Sequence, residues 1–249
     1  MALRALVHDI WLAGIALQIL LAAVLLRKRT WQKFPLFSAY AFFNLFEAAA
    51  LSFISRSSPG AVYFYTYWAL EAVSTLLGLA VVFEVFKALF STHPALRKLA
   101  STVFGAAIVV LIVVGVVVIF AQPQAEKSGM ASAIMVTAEA TRFIEVGLLM
   151  FLFLFSSAFG LHWRAHVFGI ALGLGVFTAV DLVNVTLRSY FGNGMTDILN
   201  VARVTAFFLS VLMWTVYLWA PERVAEGNEV PERAQLEQWN QAVMELIHR

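Results

Sequence analysis

The feature that most constrains this chain is a series of apolar runs, each about as long as a bilayer is thick. A hydrocarbon core of about 30 Å takes roughly 20 helical residues at 1.5 Å each. Seven runs of that length occur, at approximately 8 to 26, 35 to 55, 62 to 86, 99 to 121, 131 to 157, 166 to 188 and 195 to 219. The connections are short and marked by Pro35, Pro59, Pro94, Pro123 and the Gly192-Asn193-Gly194 turn. Only 13% of the 249 residues are charged and 61% are hydrophobic, against about 25% charge in a soluble domain. The expected fold class is therefore an all-α integral membrane protein: a seven-transmembrane-helix bundle over residues 1–220, followed by a cytoplasmic linker and amphipathic helix over 221–249.

Basic residues orient the bundle. Arg27, Lys28, Arg29 and Lys33 fall in the first loop, Lys87, Arg97 and Lys98 in the third, and Arg164 in the fifth; the other loops hold Arg56, Lys127 and Arg188. Eight against three places the N-terminus outside and the C-terminus in the cytoplasm, in a plasma membrane such as the bacterial inner membrane. Because Arg4 stands alone before the first run and the Arg27-Lys28-Arg29 cluster follows it, the first run reads as a retained helix, not a cleaved signal peptide.

The fifth run carries Glu139, Arg142 and Glu145 one turn apart. Ionisable residues at membrane depth are costly, so they face a bundle interior and find partners there. Measured from the proposed outer ends, Glu47, Glu71, Glu139, Arg142, Asp181 and Arg203 lie about 10 to 16 Å deep. Glu145 lies about a turn deeper, with Asn44 between, while Asn184 and Asn200 lie nearer the outer surface. Arg142 is spaced to pair with Glu139 or Glu145, and Arg203 with Asp181, Glu71 or Glu47 of neighbouring helices. Five acids against two bases leave up to three acids over, and each must find a proton, a cation or water.

The second, third, fifth, sixth and seventh runs all carry charge and are expected to enclose this centre. The fourth is almost unbroken Val, Ile and Leu, and the first has only Gln18 in its middle; both are expected at the lipid-facing periphery. Tyr63, Phe64, Tyr65, Tyr67 and Trp68 form a dense aromatic group near one membrane face, of which one or two members, Trp68 among them, should line an outer pocket. Trp214, Tyr217 and Trp219 read as the opposite aromatic belt. Glu84, three residues before Lys87, is expected at the inner interface without a special role. Gly169 and Gly173 have the spacing that lets two helices approach closely, within the bundle or in self-association. Beyond residue 230, Leu236, Trp239, Val243, Leu246 and Ile247 share one helical face, a surface suited to the inner leaflet, the bundle mouth or a protein partner over 231–249.

Several chemistries are excluded. The chain has no cysteine, which removes thiolate metal sites, iron–sulfur clusters and cysteine nucleophiles. Lys28, Lys33, Lys87, Lys98 and Lys127 all lie outside the apolar centres, so no buried lysine is available for a Schiff base. His8, His93, His162, His166 and His248 are terminal or in loops, which leaves no haem ligands at membrane depth. His162 and His166 could share a metal only with further ligands, and none is near. No cofactor, no resident metal and no nucleic acid is expected, and no catalytic motif supports an enzyme. The layout resembles that of seven-helix receptors and of the membrane input modules of bacterial sensor kinases, on topology alone. A receptor-like protein follows, with an outward-opening polar site for a small ligand or cation, acting through a partner on its C-terminal helix. A proton-coupled transporter and a structural subunit of a membrane assembly are the alternatives.

Overall fold

A computed structural model describes residues 2–57, 60–90, 127–158, 163–191 and 196–221, together with scattered positions between 102 and 117. The described residues form seven helices: α1 (Ala2–Arg27), α2 (Thr30–Lys33), α3 (Pro35–Ser57), α4 (Gly60–Leu89), α5 (Lys127–Ala158), α6 (Ala165–Phe191) and α7 (Thr196–Trp219). Within them, five segments are long and apolar enough to cross a membrane: Val7–Arg27, Pro35–Ile54, Val62–Leu89, Ala165–Arg188 and Thr196–Trp219. The protein is an all-α integral membrane protein. Most of the expected fourth run and all of the amphipathic helix at 231–249 lie outside the described residues; the described Val109, Val110, Val113 and Val117 are helical and exposed.

Six long helices close into a ring. α1 packs on α3 and α7, α3 on α4, α4 on α5, α5 on α6 and α6 on α7, with α4 and α6 meeting across the middle. The expected peripheral position of the first run is therefore corrected, since α1 is a wall of the ring. Helices in a bilayer associate through close packing and need no polar face to do so, so an apolar sequence does not by itself exclude a helix from the bundle interior. One end of the ring gathers Lys28, Glu84, Lys87 and His166, and is here called the basic end. Going toward it, α4 runs through Glu71, Gly78 and Phe86 while α5 runs through Arg142, Glu145 and Phe151, each pair in contact. The two neighbours are parallel.

The basic end is closed by helix termini that cap one another. Pro35, which has no N–H to leave unsatisfied, opens α3. The next two donors, Leu36 N and Phe37 N, reach the Glu84 carboxylate of α4 at 3.0 and 2.8 Å. An acid three residues from a lysine thus serves as an N-terminal cap from another helix, a role beyond the interface position expected of it. The reciprocal cap is cationic: Lys28 Nζ donates to the carbonyls of Leu218, at 3.0 Å, and of Trp219. A positive charge suits the C-terminus of α7, whose last carbonyls have no partners within the helix. Arg29, with φ 52°, breaks α1 and starts the single turn of α2.

Just inside these caps lies a dry core. Trp214 is 1% exposed and donates its indole N–H to the Ile170 carbonyl at 3.2 Å. Its ring meets Phe37 and Tyr40 edge-on at 5.3 and 5.9 Å, and Phe86 stacks on Phe151 at 6.2 Å. Trp214 is thus a core residue, not part of an interfacial belt; Trp219 is exposed. Gly173 and Gly169 explain how α6 and α7 come so close. A Cβ on Gly173 would collide with the Trp214 indole, and one on Gly169 with the Tyr217 ring, so the face these glycines leave open is filled from within the bundle.

Candidate functional site

Midway along the ring, four helices are tied by one charge network. Arg142 of α5 is 4% exposed. It donates through Nη1 to Glu145 at 2.9 Å and through Nη2 to Glu71 of α4 at 3.1 Å, and its Nε forms an ion pair with Asp181 of α6 at 2.9 Å. Arg203 of α7 donates through Nη2 to the same Glu71 oxygen at 3.0 Å and through Nη1 to the Tyr67 hydroxyl at 3.3 Å, and its Nε forms an ion pair with the other Asp181 oxygen at 2.7 Å. Each nitrogen of both guanidinium groups has a partner. The Arg142 guanidinium also lies over the Phe177 ring, 5.7 Å from its centroid, a favourable position for a desolvated cation.

Glu145 is fully buried and packs on bare backbone. Its Oε2 takes the Arg142 bond, while Oε1 has no hydrogen-bond partner among the described residues. A Cβ added to Gly78 would lie 2.6 Å from that oxygen, so glycine at 78 makes room for the carboxylate between α4 and α5.

Toward the opposite end the ring encloses a partly open cavity of about 230 Å³. Arg142 and Arg203 bound it on one side. Glu47, Asn44 and Ala48 of α3 face it, as do Tyr67, Glu71 and Ser74 of α4 and Trp11, Gly14 and Gln18 of α1. The Asn44 side-chain oxygen accepts from Ser74 Oγ at 3.1 Å and its amide lies against the buried Tyr40 hydroxyl; among the described residues Gln18 Oε1 is buried without a hydrogen-bond partner. Glu47 makes no ion pair with any described residue.

The residues expected at the site do not all converge on it. Asn44, Glu47, Glu71, Arg142 and Arg203 line the cavity, and Glu145 and Asp181 stand behind Arg142 as its counter-charges. Asn184 and Asn200 stitch α6 to α7 instead: Asn184 Nδ2 donates to the Leu199 carbonyl, and Asn200 Oδ1 accepts from Arg188. Trp68 packs edge-on against Tyr67 at 5.4 Å, and it is Tyr67 that reaches the cavity. The Glu139 side chain lies outside the described residues. Gln18 and Ser74 were missed as lining residues, although Gln18, the one strongly polar group in the middle of the first run, carried the clue.

Among the described residues no group of three or more His, Asp or Glu side chains could hold a metal ion. His166 instead places Nε2 3.2 Å from the Ala220 carbonyl, at the basic end. Comparisons of the chain with family models, with curated proteins and with solved structures find no match.

Proposed function

We propose that this protein is a seven-span, receptor-like membrane protein that binds a small ligand or cation in the cavity between α1, α3, α4 and α7. The observation that carries the reading is Glu47. The two arginines are engaged by Glu71, Asp181 and Glu145, which leaves one carboxylate on the cavity wall with no cation of its own. Intramembrane ionisable groups mark ligand or ion sites by default. A network needed only for helix register has no use for an unpaired acid beside empty space.

The seven-span count is supported by direction. α4 and α5 are parallel neighbours, so the chain between Leu89 and Lys127 has to return across the bundle, and the described positions within it are helical. The positive-inside rule then puts the basic end in the cytoplasm and the cavity toward the outside, and the apolar helical pattern of residues 231–249 is the surface proposed for a protein partner. Single cysteines at Ser57, Ser128 and Asn193 should react with an impermeant thiol reagent in intact cells, and one at Ser91 should not. The reverse pattern would overturn the topology.

Receptor and transporter differ in flux. Purified protein is melted with a panel of small amines, zwitterions, carboxylates and inorganic cations, and the same panel is offered for uptake into proteoliposomes with and without a pH gradient. Saturable thermal stabilisation without uptake is the expected result. Uptake of a stabilising compound would make the protein a transporter, and neither effect would leave the network a structural one.

A further inference from the structure

We propose that the corner of the basic end formed by α2 and the last turns of α1 and α7 binds an anionic phospholipid of the adjoining leaflet, with Arg27 and Arg29 as its phosphate ligands. The proposal is independent of the cavity, and it holds whichever leaflet the basic end faces.

Charge at this end is one-sided. The described bases are Arg27, Lys28, Arg29, Lys33, Lys87 and Arg164, and Glu84 is the single acid among the described residues there. Glu84 and Lys28 serve the fold: the first takes the Leu36 and Phe37 N–H groups with its two oxygens, and the second holds the last carbonyls of α7. Arg27 and Arg29 are exposed, and neither guanidinium has a hydrogen bond or ion pair with a described residue. Basic side chains just beyond the end of a membrane helix draw anionic lipid toward them.

The backbone sets these groups out. α1 stops where Arg29 takes φ 52° and ψ 30°, a left-handed conformation that few non-glycine residues adopt. Lys28 N still closes on Val24 O at 3.0 Å and Gln32 N closes on Arg29 O at 3.1 Å, so the chain turns within a few residues and α2 begins at once. The short helix has two faces. Thr30 and the following Phe34 are buried, while Trp31, Gln32 and Lys33 are exposed.

Apolar surface adjoins the charges. Leu26, next to Arg27, is 57% exposed, Trp31 46% and Trp219 58%, and Lys28 ties the Trp219 backbone to this corner. Tryptophan settles at the junction of headgroup and acyl chain. A soluble anion makes no use of these three side chains, whereas a phospholipid matches both parts of the corner. Its phosphate suits the guanidinium fork, which gives two parallel hydrogen bonds, and its glycerol and upper acyl chain suit Leu26 and the indoles. A zwitterionic lipid offers the same phosphate with a cationic group attached, which six bases against one acid repel. The selected headgroup is therefore anionic.

The test uses the full chain in a neutral detergent and reads binding by thermal stabilisation and by native mass spectrometry. The probes are dioctanoyl phosphatidylglycerol, dioctanoyl phosphatidylcholine and inorganic phosphate. Phosphatidylglycerol should stabilise saturably and bind roughly tenfold tighter than phosphatidylcholine. Its binding should weaken as salt is raised, and inorganic phosphate at the same concentration should have no effect. With roughly a fivefold factor for each cation at the surface, Arg27→Gln combined with Arg29→Gln should weaken phosphatidylglycerol binding roughly twentyfold. Lys87→Gln combined with Arg164→Gln removes the same net charge from the same end and should weaken it less than about threefold, because more distant exposed charges are screened. Equal losses in the two double variants would replace the site by a diffuse field and overturn the proposal. Equal binding of the two lipids, or stabilisation by phosphate alone, would overturn it as well. The lipid preference of the unaltered protein needs no variant, so it decides the matter even where a double variant melts early in phosphatidylcholine.

Discussion

The two halves of the bundle handle polar groups in opposite ways. At the basic end every charged group placed inside the ring finishes a helix: Glu84 accepts the first free N–H groups of α3, and Lys28 closes the carbonyls of α7. Between them sits a dry aromatic core around Trp214. At the other end, charges meet charges across four helices, and Glu47 stands on the cavity wall without an ion pair to any described residue. Polar groups that serve the fold are satisfied by backbone or by ion pairs. Glu47, a carboxylate used in neither way, stands where a ligand could enter, and this contrast is the basis for placing function in one half.

The contrast predicts a hierarchy of damage. Arg142→Ala should be the most disruptive single change, because it strands Glu145, Glu71 and Asp181 without one of their cations; breaking a buried pair in this way costs about 3 to 5 kcal/mol. Glu145→Gln added to that background should recover part of the loss, since Glu145 is the acid served by Arg142 alone. Melting temperatures of the single and double mutants in detergent check this, and an unchanged single mutant would show that the network does not hold the bundle together. In the dry half, Gly173→Leu should cost about 1 to 3 kcal/mol through overpacking, because its side chain must enter the space of the Trp214 indole. A fall in Trp fluorescence anisotropy alongside the melting point would locate the damage there. Smaller still is Glu84→Leu, which leaves two backbone N–H groups of α3 unsatisfied; about 1 to 3 kcal/mol is expected from an orphaned buried donor, at the lower end because the end of a helix can move to find water. Faster amide exchange confined to the start of α3 would mark it.

Much of this was legible in the sequence, and the rest was hidden for identifiable reasons. The six long described helices lie within a few residues of their apolar runs, because a membrane span is set by length and hydropathy. Helical spacing offered Arg142 either Glu139 or Glu145, of which the Glu145 pair is the one described, and residue counting put Glu71, Asp181 and Arg203 near one level. What counting cannot supply is azimuth. Depth put Asn184 and Asn200 on the outer side of the charges, as candidates to line the site, but they turn toward each other's helices. Neighbouring positions on α4 send Tyr67 inward and leave Trp68 packed against it. Gln18 was dismissed with the apolar helix around it, and Glu84 with the lysine beside it, because the groups they face belong to distant parts of the chain.

The central claim is that Glu47, among the carboxylates facing the cavity, is the one the fold does not use. Its most direct test is the melting temperature of Glu47→Gln set beside that of Glu71→Gln, in the same detergent and without ligand. Glu71 bridges both arginines, so its neutralisation should destabilise by about 3 kcal/mol, while Glu47→Gln should melt with the parent protein. Equal destabilisation by the two would contradict the account, because it would make Glu47 one more structural member of the network.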